Sequence, residues 1–168
     1  MKKISGVLVA CVLMPAACAD VIQVQMTGNI YANTCAVDSA SQNLTVDLGQ
    51  DSASNFRSIG DTGEWKDFDL TLSQCPATIT LATAQFKGQA DAQHPTTFAN
   101  TGTAGGLALE LADRQDKTVL APQATFSVSV NQSDHTADFP LSARYYATRE
   151  PVTGGTFNAT VQVTFTYQ

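Results

Sequence analysis

Charge is scarce in this sequence. Of its 168 residues, 14% are Asp, Glu, Lys or Arg, and aromatic residues make up 8%. The charges are also unbalanced, nine basic against 15 acidic, for a formal net charge of −6. A surface of that sign repels phosphate backbones, which excludes nucleic acid as a partner. Two histidines and four cysteines leave little material for a metal cluster and cannot make the four-ligand set of a copper–zinc sandwich enzyme. No later segment is long and apolar enough for a transmembrane helix, and none keeps a helical period. Repeats and low-complexity tracts are absent as well. The apolar fraction of 43% is that of a folding chain, and the length fits one domain.

The first residues belong to export. Lys2 and Lys3 precede a short apolar stretch, Ile4 to Met14, and Ala17 and Ala19 stand at the spacing that signal peptidase reads. Residues 1–19 are expected to be a signal peptide cleaved before Asp20. Lipid attachment at Cys18 is disfavoured, because Pro15 occupies the place of a branched apolar residue. The remaining 149 residues keep all 15 acids but only seven bases, a balance of −8. They also keep two cysteines, Cys35 and Cys75. In an oxidising compartment such a pair reads as a disulfide, and closing that loop should stabilise the fold by about 4 kcal/mol. A reactive thiol pair would want Cys-x-x-Cys spacing or a basic neighbour, and neither is present.

What fills the rest is alternation. Phe68, Leu70 and Leu72 alternate with Asp67, Asp69 and Thr71, and Leu107, Leu109 and Leu111 with Ala108 and Glu110. Phe126, Val128 and Val130 form a third series, and Phe139, Leu141, Ala143 and Tyr145 a fourth. Period two over short segments predicts strands with one buried face. Turn residues separate them at Gly60 to Gly63, Ala99 to Gly106 and Pro151 to Gly155. Short strands with short links predict an all-β, largely antiparallel sandwich.

Two segments stand apart. From Phe157 to Gln168 every odd position is apolar and every even one polar, which predicts a twelve-residue final strand. An apolar-faced strand of that length at a sheet edge invites aggregation unless something covers it. Ahead of Cys35, an arm carries Ile22, Val24, Met26 and Ile30 on one face, with Gly28 interrupting it where close backbone approach is possible. That arm reads either as an ordinary first strand or as one that completes a sheet in another molecule.

Together these segments resemble subunits of chaperone–usher fimbriae, most closely the minor subunits of type 1 fimbriae. The resemblance spans residues 20–168. It rests on the arm with Gly28, Cys35-Ala36-Val37-Asp38, Val46-Asp47-Leu48-Gly49 and Cys75-Pro76. It rests also on the run Phe139-Pro140-Leu141-Ser142-Ala143-Arg144-Tyr145-Tyr146, on Gly155 and on Tyr167. The resemblance implies an incomplete immunoglobulin-like β-sandwich lacking its final strand, over residues 35–168, with residues 20–34 as an N-terminal donor-strand arm. A periplasmic chaperone would fill the gap first. At an outer-membrane usher the arm of the next subunit would replace it. Ile22, Val24, Met26, Gly28 and Ile30 are then the donor face. Val161, Val163, Phe165 and Tyr167 line the acceptor groove and its zipper with the chaperone. Implied partners are the chaperone, the usher, neighbouring pilins and a tip adhesin, on an extracellular fimbria of the bacterial surface. Fifteen residues before Cys35 favour a tip adaptor over the longer-armed major rod subunit, and the chain is too short for an adhesin's added lectin domain.

Nothing else in the sequence argues for catalysis, a metal or a cofactor. Ser133-Asp134-His135 are adjacent in a polar stretch without a nucleophile elbow, and His94 sits in a polar loop. Asp61, Glu64, Asp67 and Asp69 lack the spacing of a calcium loop. Gly102-Thr103-Ala104-Gly105-Gly106 has no phosphate-loop lysine and reads as a flexible turn. Trp65 is expected to pack in the core or on a strand. The reading from a different class is a self-complete secreted sandwich that binds a small ligand.

Overall fold

Side chains that alternate along a strand can bury one face only if a second layer covers it, and two sheets do so here. The computed structural model describes residues 25–28 and 34–168. Two units divide the chain, Met1–Tyr31 and Ala32–Gln168. In the first, residues 25–28 have no regular secondary structure, and Met26 is 90% exposed. Ile22, Val24 and Ile30 lie outside the described residues, as does the segment 1–19 expected to be a signal peptide.

The strands of the second unit are, in chain order, β1 (Ala36–Val37), β2 (Lys66–Ser73), β3 (Leu81–Lys87), β4 (Phe98–Ala99), β5 (Leu107–Asp113), β6 (Thr125–Ser129), β7 (Ala137–Ala147) and β8 (Gln162–Tyr167). One sheet has the order β1-β2-β7-β5-β4 and the other β6-β3-β8. All pairings between these strands are antiparallel. The one α-helix among the described residues, α1 (Ser39–Gln42), is capped by Asp38, whose carboxylate accepts the Ala40 N–H at 2.9 Å.

The core lies between the sheets. Leu70, Leu72, Leu111, Phe139 and Leu141 come from the larger one, and Ala82, Ala84 and Phe86 from the smaller. Phe139 stacks against Phe126 and Phe165 of the facing sheet, with centroids 5.9 and 5.4 Å away. Its full burial makes truncation to alanine expensive, about 3–5 kcal/mol. The Cys35–Cys75 disulfide forms as expected and ties the root of β1 to the end of β2. Pro140 is tolerated in a central strand because its missing N–H falls where β5 ends opposite Leu141, while its carbonyl still accepts the Arg114 N–H at 3.0 Å.

Three expectations change. The leucine series of β5 has both faces covered rather than one: Ala108, Glu110 and Ala112 are buried along with Leu109 and Leu111. The final alternating segment is hydrogen-bonded as a strand only over Gln162–Tyr167, since β3 ends at Lys87 opposite Gln162 and offers no partner beyond it. The glycine-rich Gly102–Gly106 turn is pinned rather than free, with Thr103, Ala104 and Gly105 bonded to Thr153 and Thr156.

Candidate functional site

A groove of about 1640 Å³ opens between two rims of extended chain. One rim is residues 43–51, where half-buried Val46 and Leu48 alternate with exposed Thr45, Asp47 and Gly49. The other runs from Phe157 through β8, with Phe157, Ala159, Val161, Val163 and Phe165 turned toward the core and only half-buried. The floor is apolar, with Leu70, Leu109, Leu111 and Leu141 from the large sheet and Phe86 from the small one.

Neither rim is laddered to the other. β8 pairs with β3 on one edge, and among the described residues no strand lies on its second edge. Leu81 and Gln168 exchange both backbone bonds, Leu81 donating at 3.0 Å and Gln168 at 2.9 Å. In an antiparallel ladder, hydrogen-bonded positions recur every second residue. The even residues of β8 therefore face β3, and Val163, Phe165 and Tyr167 point N–H and C=O at the groove. Residues 44–48 likewise make no backbone–backbone bond among the described residues. Unpaired backbone beside an apolar trough is a costly arrangement. A strand laid between the rims would satisfy both edges and cover the apolar side chains.

Tyr145 stands at one end of the trough and touches both rims. Its hydroxyl donates to the Gly49 carbonyl at 2.8 Å, and its ring meets Phe157 edge-on at 4.9 Å. Burial pushes the Tyr145 hydroxyl above its usual pKa, and the carboxylates of Asp47 and Asp51 add to the shift. Of the residues expected to line the groove, Val161, Val163 and Phe165 do so. Tyr167 sits beyond them, its hydroxyl reaching the Cys35 carbonyl at 3.5 Å, and burial raises its pKa. On the donor side only Met26 and Gly28 lie within the described residues. The 43–51 rim, Phe157 and Ala159 are groove residues that the single final strand did not reveal. The alternation of Val46 and Leu48 was the available signal, too short to stand alone.

The remaining polar residues serve the fold. Trp65 lies half-buried beside two cations, Arg144 at 4.1 Å and Lys117 at 5.1 Å from its ring centroid. Arg144 donates to buried Glu110 at 2.5 Å. Ser142 donates to Asp67 at 2.5 Å and accepts from Lys117 at 2.8 Å. The Ser142 bond holds the Asp67 carboxyl below its ordinary pKa, partly opposed by desolvation and aided by Lys117. His135 hydrogen-bonds the Cys75 carbonyl at 2.9 Å, so the Ser133-Asp134-His135 run braces the disulfide loop. His94 stacks on Tyr146 at 4.5 Å.

An immunoglobulin-like sandwich with an open apolar groove between two unpaired rims defines the class of fold. Residues 24–168 match the family described as fimbrial protein. Protein FimG of Escherichia coli is 35% identical over 146 residues, covering 87% of this chain and 84% of that one. The S-fimbrial adhesin protein SfaS of Escherichia coli is 34% identical over 160 residues, covering 95% and 93%. Among solved structures, the P pilus rod subunit PapA shares the fold with a TM-score of 0.67 at 21% identity, over 80% of this chain and 99% of that one. The chain belongs to the fimbrial protein family, as a structural subunit of an extracellular fimbria. The self-complete ligand-binding sandwich is thereby set aside.

Proposed function

We propose that this subunit polymerises by donor-strand exchange, its groove occupied first by a strand of a periplasmic chaperone and then, at an outer-membrane usher, by the arm of the next subunit. The observation that carries the reading is the pair of unpaired rims flanking an apolar floor. The occupant is residues 20–30 of a second copy or of a neighbouring pilin, with Ile22, Val24, Met26 and Ile30 turned into the trough and Gly28 allowing close approach. No chemical step is required. Main-chain bonds contribute on the order of 1 kcal/mol each, and each large apolar side chain adds about 1.5–3 kcal/mol. Release must unzip the whole strand, so the joint dissociates slowly. The short arm expected after cleavage before Asp20 supports placement as a minor tip adaptor.

The test is a synthetic peptide of residues 20–30 added to the mature protein. At one hundred times its dissociation constant it should stabilise the fold by about 2.7 kcal/mol, raising the melting temperature by several degrees. A melting temperature indifferent to the peptide overturns the reading. Position in the fibre is tested by mass spectrometry of shed fimbriae: a tip adaptor is present in far fewer copies than the rod subunit.

A further inference from the structure

The rim formed by residues 157–161 is held straight where no strand supports it. β3 ends at Lys87, so Asn158 and Thr160 have no partner in the sheet. A loop takes over. The Asn158 N–H donates to Asn100 Oδ1 at 2.9 Å, and the Asn158 carbonyl accepts the Thr101 N–H at 2.7 Å and the Thr101 hydroxyl at 3.0 Å. Asn100 is itself fixed, its Oδ1 accepting the Gly102 N–H and its Nδ2 donating to the Ala104 carbonyl, both at 2.8 Å. Further along, the Ala104 N–H donates to the Thr156 carbonyl and the Thr156 N–H to Thr103 Oγ1, each at 2.9 Å.

Glycines make this approach possible. A Cβ on Gly102 would stand 2.1 Å from the Thr156 carbonyl oxygen, and one on Gly155 would stand 2.5 Å from the Ala104 nitrogen. Backbone is the obstacle at both positions, so neither clash relaxes by a rotamer change.

The side of attachment matters most. Asn158 is an even position, and the even positions of β8 are those bonded to β3. The loop thus replaces β3 on the inner side and leaves the groove side of Phe157, Ala159 and Val161 open, in line with Val163, Phe165 and Tyr167. We infer that the Asn100–Thr101 loop is a latch that extends the acceptor edge from β8 back to Phe157, with Asn100 its positioning residue, so that the groove accepts a longer donor strand than β8 alone could pair. The inference rests on the strand-exchange reading and names what sets the length of the joint.

The experiment follows amide hydrogen exchange of the mature protein with and without the residue 20–30 peptide, in wild type, Asn100→Ala and Thr101→Val. In wild type the peptide should protect the amides of Phe157, Ala159 and Val161 together with those of Val163, Phe165 and Tyr167. In Asn100→Ala the first three should lose about tenfold or more of that protection, as for a lost net hydrogen bond, while the last three keep theirs. Thr101→Val removes only the hydroxyl bond and keeps the backbone one, so it should show the same pattern more weakly. It carries the test if Asn100→Ala does not fold. Equal protection of all six amides in wild type and both variants overturns the latch. Absence of protection at Val163, Phe165 and Tyr167 in wild type overturns strand exchange itself, and the latch with it.

Discussion

β5 and β8 have nearly the same kind of sequence and opposite situations. Each alternates apolar and other residues over six or seven positions. β5 is flanked by β7 and β4 and is buried almost throughout, whereas β8 is flanked by β3 alone and its inward side chains stay half-exposed. Alternation thus encodes which side chains face inward, because successive residues point to opposite faces. It does not encode whether the backbone edge is taken, because N–H and C=O are the same in every residue. In β5 the edge is closed within the chain. In β8 it is left open among the described residues.

Reduction tests the closed side of that contrast most strongly. Removing the Cys35–Cys75 bond, or replacing both residues with serine, should lower stability by about 4 kcal/mol through loop entropy, read by thermal or denaturant unfolding. Core truncation comes next. Leu111→Ala in β5 should cost about 3 kcal/mol in the free protein, within the usual range for a buried leucine. Val163→Ala in β8 should cost about 1 kcal/mol or less there, because its side chain is half-exposed. With the residue 20–30 peptide bound the Val163 penalty should grow. Equal penalties in the free protein break the comparison.

The outer face of β5 supplies a third test. Glu110→Gln leaves half-buried Arg144 without its carboxylate and should cost about 2 kcal/mol, measured by urea unfolding at neutral pH. Asp67 lies on the exposed face of β2, so its effect is smaller. Its lowered pKa means that its contribution is present above the unfolded value and fades as pH falls through the folded one. Asp67→Asn should flatten that part of the acid limb. Tyr145, at the open groove, has the opposite sign. A raised pKa favours the neutral form in the fold, so its contribution is whole below about pH 10 and is lost as pH rises through the folded value. Tyr145→Phe should cost about 1 kcal/mol and make the alkaline limb shallower.

Legibility in the sequence followed physical contrast between neighbouring residues. β2, β6 and β7 were readable because large apolar side chains alternate with polar ones. β3 was not, because its inward positions include Ala82 and Ala84, whose small side chains give little contrast, though both are fully buried. The β8 rim was legible as a face but not as two parts, since the switch from β3 to the Asn100–Thr101 loop depends on where a distant strand ends. The second rim, with Val46 and Leu48, was not legible as a rim, because two apolar residues do not announce a groove.

The sequence by itself determined the all-β class, the disulfide partners and the inward faces of the long alternating strands. These follow from local chemistry: apolar spacing, turn residues and an even pair of cysteines. Only the tertiary structure decided which strand edges are closed, how the two rims face each other across the apolar floor and what holds Asn158 in line. Those properties depend on backbone groups that every residue shares, and only their placement in space tells a satisfied edge from an open one.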